Sequence, residues 1–116
     1  MKTKKVIAID FDGTITEDSP FPITGKIRPK AIEVIKKLQE KYTCVLWTCR
    51  NGQYLTEALN LLADNGVVFR FVNATPFPER SSVKIYADVY IDDRNINTKI
   101  DWDEIEKTLL GDNNGK

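Results

Sequence analysis

The sequence predicts an α/β fold in which helices pack against a mostly parallel sheet. Short apolar runs alternate along the 116 residues with longer segments whose apolar residues recur at helical spacing. Buried strands that alternate with helices form parallel sheets joined by right-handed crossovers. The length suits one domain, so we expect a single domain over residues 1–110 and a flexible polar tail over residues 111–116.

Four short apolar runs are predicted strands. Each is apolar throughout, which is typical of strands buried on both faces. They are Val6–Asp10, Cys44–Thr48, Val67–Val72 and Val89–Asp92. Residues 15–27 contain two prolines and a glycine and are expected to form an irregular loop or small flap. A second loop is expected over residues 73–82, followed by a short helix over Ser82–Tyr86.

The first two predicted helices are amphipathic segments with recognisable ends. Arg28-Pro29 opens the first, because proline suits the first helical position. Its apolar residues recur at helical spacing from Ala31 to Leu38. The second helix follows the turn at Asn51-Gly52, and Gly66 is expected to stop it.

A third helix is predicted to begin after Asp101. Asp101 is a suitable N-cap, and Glu104 completes an Asp variant of the capping box. Ile100 and Ile105 have the spacing of a hydrophobic staple. These signals place the final helix directly after the fourth strand.

The composition excludes several classes of function. The chain has no histidine, which removes histidine catalysis, imidazole metal ligands and a histidine pH switch. Its 17 basic and 17 acidic residues balance, which argues against broad electrostatic binding to nucleic acid or an anionic membrane. No apolar run approaches the roughly 18 residues of a membrane span, and the run before Asp10 is too short for a signal peptide.

Both cysteines are predicted to be reduced thiols of a cytoplasmic protein. On an extended strand Cys44 and Cys49 would lie ~16 Å apart, too far for a disulfide. Cys44 and Arg50 also match the Cys-x5-Arg spacing of cysteine-dependent phosphatases. We reject that match, because the bulky residues between them favour an extended chain and no glycine is present to curl it.

Polar residues gather where the predicted strands end. The first strand runs into Asp10-Phe11-Asp12-Gly13-Thr14, the second into Thr48-Cys49-Arg50, and the fourth into Asp92-Asp93, while Lys84 precedes the fourth. In parallel α/β sheets, ligands bind beyond the carboxyl ends of the strands. These residues are therefore the candidates for a functional site.

In this order the residues resemble the four motifs of the haloacid dehalogenase-like (HAD) hydrolase superfamily. The motifs are Asp-x-Asp-x-Thr, a Ser or Thr after an apolar strand, a Lys, and an acidic pair after another apolar strand. All four are matched within residues 6–93. The resemblance implies a phosphatase (a phosphoric monoester hydrolase), because the second Asp of the first motif, here Asp12, is absent from the dehalogenases of the superfamily.

The resemblance also implies roles for the acidic residues. Asp10 would attack phosphorus and form an aspartyl-phosphate, while Asp12 would protonate the leaving oxygen and then activate water. Mg²⁺ would be held by Asp10, the Asp12 carbonyl oxygen and Asp92, with Asp93 acting through water or on Lys84. The charges favour such an ion, because four carboxylates in one crevice destabilise the fold unless a hard cation neutralises them.

Contacts with the phosphoryl oxygens are expected from the Thr48 hydroxyl, the Lys84 ammonium group and the amides of the Asp12-Gly13 turn. Lys84 is alternatively an ordinary surface lysine. Arg50 is a further candidate, because a guanidinium group binds phosphate through two bonds. A Thr-x-Arg ending resembles that of family members acting on nucleotides or polynucleotide ends; an exposed cation before a helix is the alternative. Asn73 is either a substrate contact or a turn residue.

No cap domain is expected. The 33 residues between Thr14 and Thr48, and the 35 between Thr48 and Lys84, are taken up by predicted loops, helices and one strand. The resemblance implies a Rossmann-like three-layer sandwich with a mostly parallel sheet of strand order 3-2-1-4, a HAD-like fold, here without a cap. An open site needs another means of excluding water. We therefore expect a bulky phosphorylated substrate or a second subunit to cover it, with nucleic acid as a partner only through a phosphorylated end.

Two other functions use some of the same residues. A metal-dependent glycosyltransferase would use Asp-x-Asp, but it leaves Thr48 and Lys84 unexplained. A phospho-acceptor or binding module is the non-enzymatic alternative. Receiver modules carry the phosphorylated aspartate after their third strand, where this chain has Val72-Asn73.

Overall fold

A four-stranded, all-parallel sheet forms the centre of the computed structural model, which describes residues 4–111. The strands are β1 (Val6–Ile9), β2 (Thr43–Leu46), β3 (Phe71–Val72) and β4 (Val89–Ile91). Their order across the sheet is β3-β2-β1-β4. The predicted α/β class, parallel sheet and strand order are confirmed.

Successive residues of the strands point to opposite faces of the sheet, and both faces are buried. On β1, Ile7 and Ile9 belong to the main core cluster, whereas Val6 and Ala8 belong to a second cluster on the other face. All four side chains are at most 1 % exposed. This burial explains why the sequence of β1 is apolar throughout.

Three helices contribute to the main core cluster. They are α1 (Ala31–Lys41), α2 (Gly52–Asp64) and α3 (Trp102–Leu110). The connections from β1 to β2 and from β2 to β3 run in the same direction across the sheet. Because such crossovers are right-handed, both α1 and α2 lie on one face. Their buried side chains, with Trp102 of α3, cover the face that carries Ile7 and Ile9.

The opposite face is covered by the segment between β3 and β4. Ile85 and Ala87 of this segment are buried against Val6 and Ala8, with Phe77 packed beside them. Its helical part is a single 3₁₀ turn at Pro78–Arg80. The short helix predicted over Ser82–Tyr86 is therefore wrong, and an irregular segment forms the third layer.

Two element boundaries also differ from the predictions. Lys30 has a φ of 67°, which a right-handed helix cannot include, so α1 begins at Ala31 and Pro29 lies outside it. β3 is shorter than predicted, because the Val67 amide donates to the Leu62 carbonyl in the turn that ends α2. The predicted stop at Gly66 is confirmed by its φ of 83° and by that bond.

The start of α3 follows the sequence signals in part. The Asp101 carboxylate accepts bonds from the amides of Asp103 and Glu104, as predicted for the N-cap. The return bond of the capping box is replaced by an ion pair, since the Glu104 carboxylate lies 3.7 Å from the ammonium group of Lys107. Ile100 and Ile105 both pack against the main core cluster. The direct contact between them that defines a staple stays a prediction.

Two further findings concern the described part of the chain. Between residues 4 and 111, no helix has both the length and the apolar character needed to cross a bilayer. Cys44 and Cys49 are both free thiols, as predicted. Most of the tail predicted at 111–116, namely residues 112–116, lies outside the described residues.

Candidate functional site

The candidate site lies where the chain reverses its direction across the sheet. β2 and β3 lie on one side of β1, whereas β4 lies on the other. Asp10 follows β1 and Asp92 follows β4, and the Asp10 amide donates to the Ile91 carbonyl at 2.9 Å. The sheet therefore brings two carboxylates from distant parts of the chain to one edge. Such reversal points are the usual ligand sites of open α/β sheets.

Three carboxylates converge at this edge. One oxygen from each of Asp10, Asp92 and Asp93 lies within 4.8 Å of the other two. All three side chains are half-buried. These residues, called the acidic cluster below, are close enough to hold one metal ion.

Burial and the neighbouring charges raise the pKa of Asp10 to about 7. Loss of solvent around the carboxylate is the largest cause, and repulsion from Asp92 is the next. The hydroxyl of Thr14 acts in the opposite direction by donating to Asp10. Asp10 thus lies in a place that is unfavourable for its charge unless a cation joins the cluster.

Thr14 joins the two halves of the acidic cluster. Its hydroxyl lies 3.0 Å from Oδ2 of Asp10 and 3.2 Å from Oδ1 of Asp93, and it accepts a bond from the Asp93 amide at 2.9 Å. Trp102 of α3 holds the same residue from behind by donating its indole N–H to the Thr14 carbonyl at 3.0 Å. The first motif contains Thr14, and its position four residues after Asp10 is the sequence signal for this contact.

The turn at Gly13 brings the first motif close to the acidic pair. Gly13 has a φ of 82°, and a Cβ at this position would lie 2.3 Å from Oδ2 of Asp93. Arg28, which sequence reasoning missed, donates to the Gly13 carbonyl from Nε at 3.3 Å and from Nη2 at 2.9 Å. The Gly13 amide donates to the Thr16 hydroxyl at 3.3 Å. The Gly13 amide could make its predicted contact with a phosphoryl oxygen only if its bond to the Thr16 hydroxyl broke.

Gly13→Ala is therefore expected to lower the free energy of unfolding and to weaken metal binding. The left-handed backbone costs about 1 kcal/mol for an alanine, and the new methyl group would push Asp93 out of the acidic cluster. Urea denaturation and Mg²⁺ titration calorimetry would measure the two effects. Gly52→Ala is the matched control, because Gly52 also has a positive φ but its Cβ would meet nothing within 4 Å. Equal Mg²⁺ affinity in the two variants would contradict the role given to Gly13.

Asp12 does not belong to the acidic cluster, because its carboxylate is paired with Arg50. Nε of Arg50 donates to one Asp12 oxygen and Nη2 to the other, each at 2.7 Å. The Arg50 side chain is 1 % exposed and the Asp12 side chain 40 %. This bond raises the pKa of Arg50 above its ordinary value. The pair is a two-pronged charge-assisted contact of the kind that fixes side-chain orientation.

The structure buries Arg50, which excludes the alternative prediction of an exposed cation before a helix. Its guanidinium carbon lies 5.4 Å from the centre of the Phe11 ring and 5.5 Å from that of Phe21. It also donates to the carbonyls of Tyr54 and Pro22, both at 3.3 Å. Arg50 is therefore an internal residue rather than an exposed cation. Its contact with a substrate stays a prediction. The sequence did not reveal that Asp12 is the partner of Arg50.

These contacts attach a flap, residues 17–26, to the site. The flap is closed at its base by bridging between Thr16 and Ile27. At its tip Phe21 packs edge-on against Tyr54, with ring centres 5.3 Å apart, and remains 64 % exposed. Arg50 therefore connects the flap to Asp12.

A cleft of about 400 Å³ opens beside the acidic cluster. It is lined by Asp10, Asp12, Asp18, Ser19, Phe21, Cys49, Asp92 and Arg94. A volume of this size is within the range of small-molecule sites. The predicted site residues Asp10, Asp12 and Asp92 therefore share one space with the flap and with Arg94.

Thr48 and Asn73 are fixed at the ends of neighbouring strands. The Thr48 hydroxyl accepts a bond from the Arg50 amide at 3.1 Å, and the Thr48 amide donates to the Asn73 side chain at 2.8 Å. Accepting a bond does not use the hydroxyl proton of Thr48, which can still be donated to a ligand. Asn73 has a φ of 51°, so it fits the turn interpretation.

Lys84 is not among the residues that line the cleft. Its side chain is exposed, and its ammonium nitrogen lies 5.0 Å from the centre of the Tyr90 ring. Its contact with a transferring phosphoryl group stays a prediction that this arrangement does not favour. Cys44 is also unsuited to catalysis, since burial raises the pKa of its thiol to about 12.

The chain closely matches a solved structure of a conserved protein from Bacteroides thetaiotaomicron. The two share 38% sequence identity, the match covers 92% of this chain and 90% of that one, and the TM-score is 0.83. No protein-family model matches the sequence, and no match was found among curated proteins. Because the identity is high and both chains are covered almost completely, this chain belongs to the same family as the conserved Bacteroides thetaiotaomicron protein.

Proposed function

We propose that the protein is a Mg²⁺-dependent phosphatase of the HAD type, which hydrolyses a phosphate monoester through an aspartyl-phosphate. The observation that carries the proposal is the convergence of Asp10, Asp92 and Asp93 at the reversal point of the sheet. The four matched motifs support the same function. The fold alone would not, since parallel α/β sheets serve many chemistries.

The donor set of the acidic cluster fits a hard divalent cation. Its three oxygens lie within 4.8 Å of one another, whereas ligands on opposite sides of Mg²⁺ are about 4.2 Å apart. Small side-chain movements are enough to close that difference. Asp10, Asp92 and Asp93 would hold the ion, which would offset most of the negative charge of the cluster and polarise a phosphoryl oxygen when bound.

Asp10 is the proposed nucleophile. One of its oxygens forms a bond to phosphorus while the bond from phosphorus to the ester oxygen breaks, which leaves the phosphoryl group on Asp10. Thr14, at 3.0 Å from Oδ2, holds the carboxylate in one orientation. The Thr48 hydroxyl is proposed to donate to a phosphoryl oxygen.

Asp12 is the proposed proton donor and acceptor. It gives a proton to the departing ester oxygen, and then takes one from the water that attacks phosphorus and releases inorganic phosphate from Asp10. Arg50 donates to both Asp12 oxygens and so holds the carboxylate in one orientation. The first step needs the protonated form, so the contact with Arg50 must loosen during each cycle.

The protein with Mg²⁺ is expected to release phosphate continuously from 4-nitrophenyl phosphate, with many turnovers per chain, and to stop when EDTA removes the metal. Absorbance of 4-nitrophenolate and an inorganic phosphate assay would measure this. Transfer of one phosphoryl group to each protein chain, without further turnover, would instead indicate a phospho-acceptor module. Release of nucleoside diphosphate from a nucleotide sugar, without phosphatase activity, would indicate a glycosyltransferase. A panel of phosphorylated metabolites, including 3′- and 5′-phosphorylated oligonucleotides, would then define the substrate.

A further inference from the structure

We propose that Arg94 binds the phosphoryl group of the substrate, the role that the sequence motifs give to Lys84. This inference rests on the proposed phosphatase function and adds to it the source of positive charge that faces the substrate. Arg94 follows the acidic pair directly, in the sequence Asp92-Asp93-Arg94.

The cleft is strongly acidic. Asp10, Asp12, Asp18 and Asp92 all line it. A phosphate monoester brings between one and two further negative charges near neutral pH. A metal ion in the acidic cluster offsets the carboxylates that hold it, so binding the substrate requires another cation that faces the cleft.

Two of the expected cations do not meet that requirement. Arg50 is buried, and its guanidinium group is occupied by Asp12 and by two backbone carbonyls. Lys84 is not among the residues that line the cleft, and its ammonium group lies over the ring of Tyr90. Neither residue supplies charge to the cleft in this conformation.

Arg94 meets the requirement on position and on charge. It lines the same cleft as Asp10, the proposed nucleophile. Its backbone is fixed there, because its amide donates to Oδ1 of Asp92 at 2.9 Å. Within residues 4–111, the ion pairs involve other basic residues, and the Arg94 guanidinium takes part in none of them.

The chemistry of the guanidinium group suits this role. It presents planar donors that match two oxygens of a phosphate, and it stays charged at every pH relevant to the protein. A phosphoryl group in reach of Asp10 lies in the same cleft as Arg94. Arg94 therefore serves as a substrate-binding residue that also selects for a phosphate over an uncharged ester.

The test is the affinity for inorganic phosphate in the presence of Mg²⁺, measured by titration calorimetry, together with KM and kcat for 4-nitrophenyl phosphate. Arg94→Gln is expected to weaken phosphate binding and raise KM at least tenfold, and Arg94→Lys to retain part of both. Lys84→Gln tests the competing assignment. Lys99→Gln removes one positive charge from the same loop at a residue outside the cleft and is expected to change either constant less than twofold.

The two proposals fail in different ways. If the protein turns over substrate and Arg94→Gln binds phosphate as the wild type does, the role of Arg94 is overturned and the phosphatase proposal stands. Loss of phosphate binding in Lys84→Gln alone would return the role to Lys84. If the wild type binds phosphate through Arg94 but shows no turnover, the phosphatase proposal fails and the binding site stands. A wild type that binds no phosphate overturns the role of Arg94.

Discussion

Asparagine in place of Asp10 is expected to abolish phosphate release, with a fall in kcat of about a thousandfold or more, because the amide cannot form the aspartyl-phosphate. The same substitution is expected to stabilise the metal-free protein above pH 7. Asp10 carries a charge there that burial and the nearby carboxylate of Asp92 disfavour. A residue that is necessary for catalysis would thus oppose folding.

The sign of the stability effect follows from the two pKa values of Asp10. Its ordinary value is 3.8, and in the folded protein it is about 7. Between these values the folded protein binds a proton that the unfolded chain does not, so the free energy of unfolding falls as the pH rises through this window. The loss above pH 7 is about 2 kcal/mol once solvent screening of the partly exposed carboxylate is allowed for. Mg²⁺ should reverse the loss in the wild type.

Urea denaturation at pH 5 and pH 8, with EDTA and with Mg²⁺, would measure these effects. The Asp10→Asn variant is expected to lose this fall in stability between the two pH values and most of the stabilisation by Mg²⁺. Asp64→Asn is the matched control, since Asp64 is exposed at the end of α2. The assignment of Asp10 is contradicted if its variant shows the pH and Mg²⁺ dependence of the wild type.

Arg50→Met is expected to lower the free energy of unfolding by about 2–3 kcal/mol and to reduce kcat at least tenfold. Methionine keeps much of the apolar volume between Phe11 and Phe21 but removes every bond to Asp12 and to the flap. Removing one partner of a buried ion pair lowers the free energy of unfolding by about 3–5 kcal/mol. The loss is expected to be smaller here because Asp12 is partly exposed. The loss of activity follows because Asp12 would no longer be held in one orientation.

Three comparisons separate the ion pair from general packing. Arg50→Lys keeps the charge but not the paired donors, so it should recover little of the activity. Arg70→Met removes an exposed arginine that lies 5.5 Å from the ring of Phe71 and should change stability by about 0.5 kcal/mol or less. A double-mutant cycle with Asp12→Asn should give a coupling of about 1–2 kcal/mol between the two residues. No coupling would show that Arg50 acts through packing alone.

The fold and the acidic cluster could be predicted because their signals are local. Each buried strand is an uninterrupted apolar run, and the carboxyl ends of parallel strands lie along one edge of the sheet, so Asp10 and Asp92 were expected at the same edge. The stop at Gly66 and the cap at Asp101 are also set by a few adjacent residues. The strand order was implied by the resemblance to the HAD superfamily, and the register was not predicted.

The remaining features depend on contacts between distant segments. The partner of Arg50 is 38 residues away at Asp12, and nothing in the neighbourhood of either residue specifies the pair. The helix predicted over Ser82–Tyr86 is replaced by an irregular segment that buries Ile85 and Ala87 against β1. Lys84 belongs to the same irregular segment, so its position could not be predicted from its distance along the sequence to Asp92.

The strand order has a consequence for biosynthesis. β1 leaves the ribosome first but receives its second neighbour, β4, only after β2 and β3 have been made. Until then one side of β1 has unpaired backbone groups, which is a state prone to association with other chains. The acidic cluster needs residues that follow both strands, so the nascent chain cannot assemble this cluster until translation has passed Asp93.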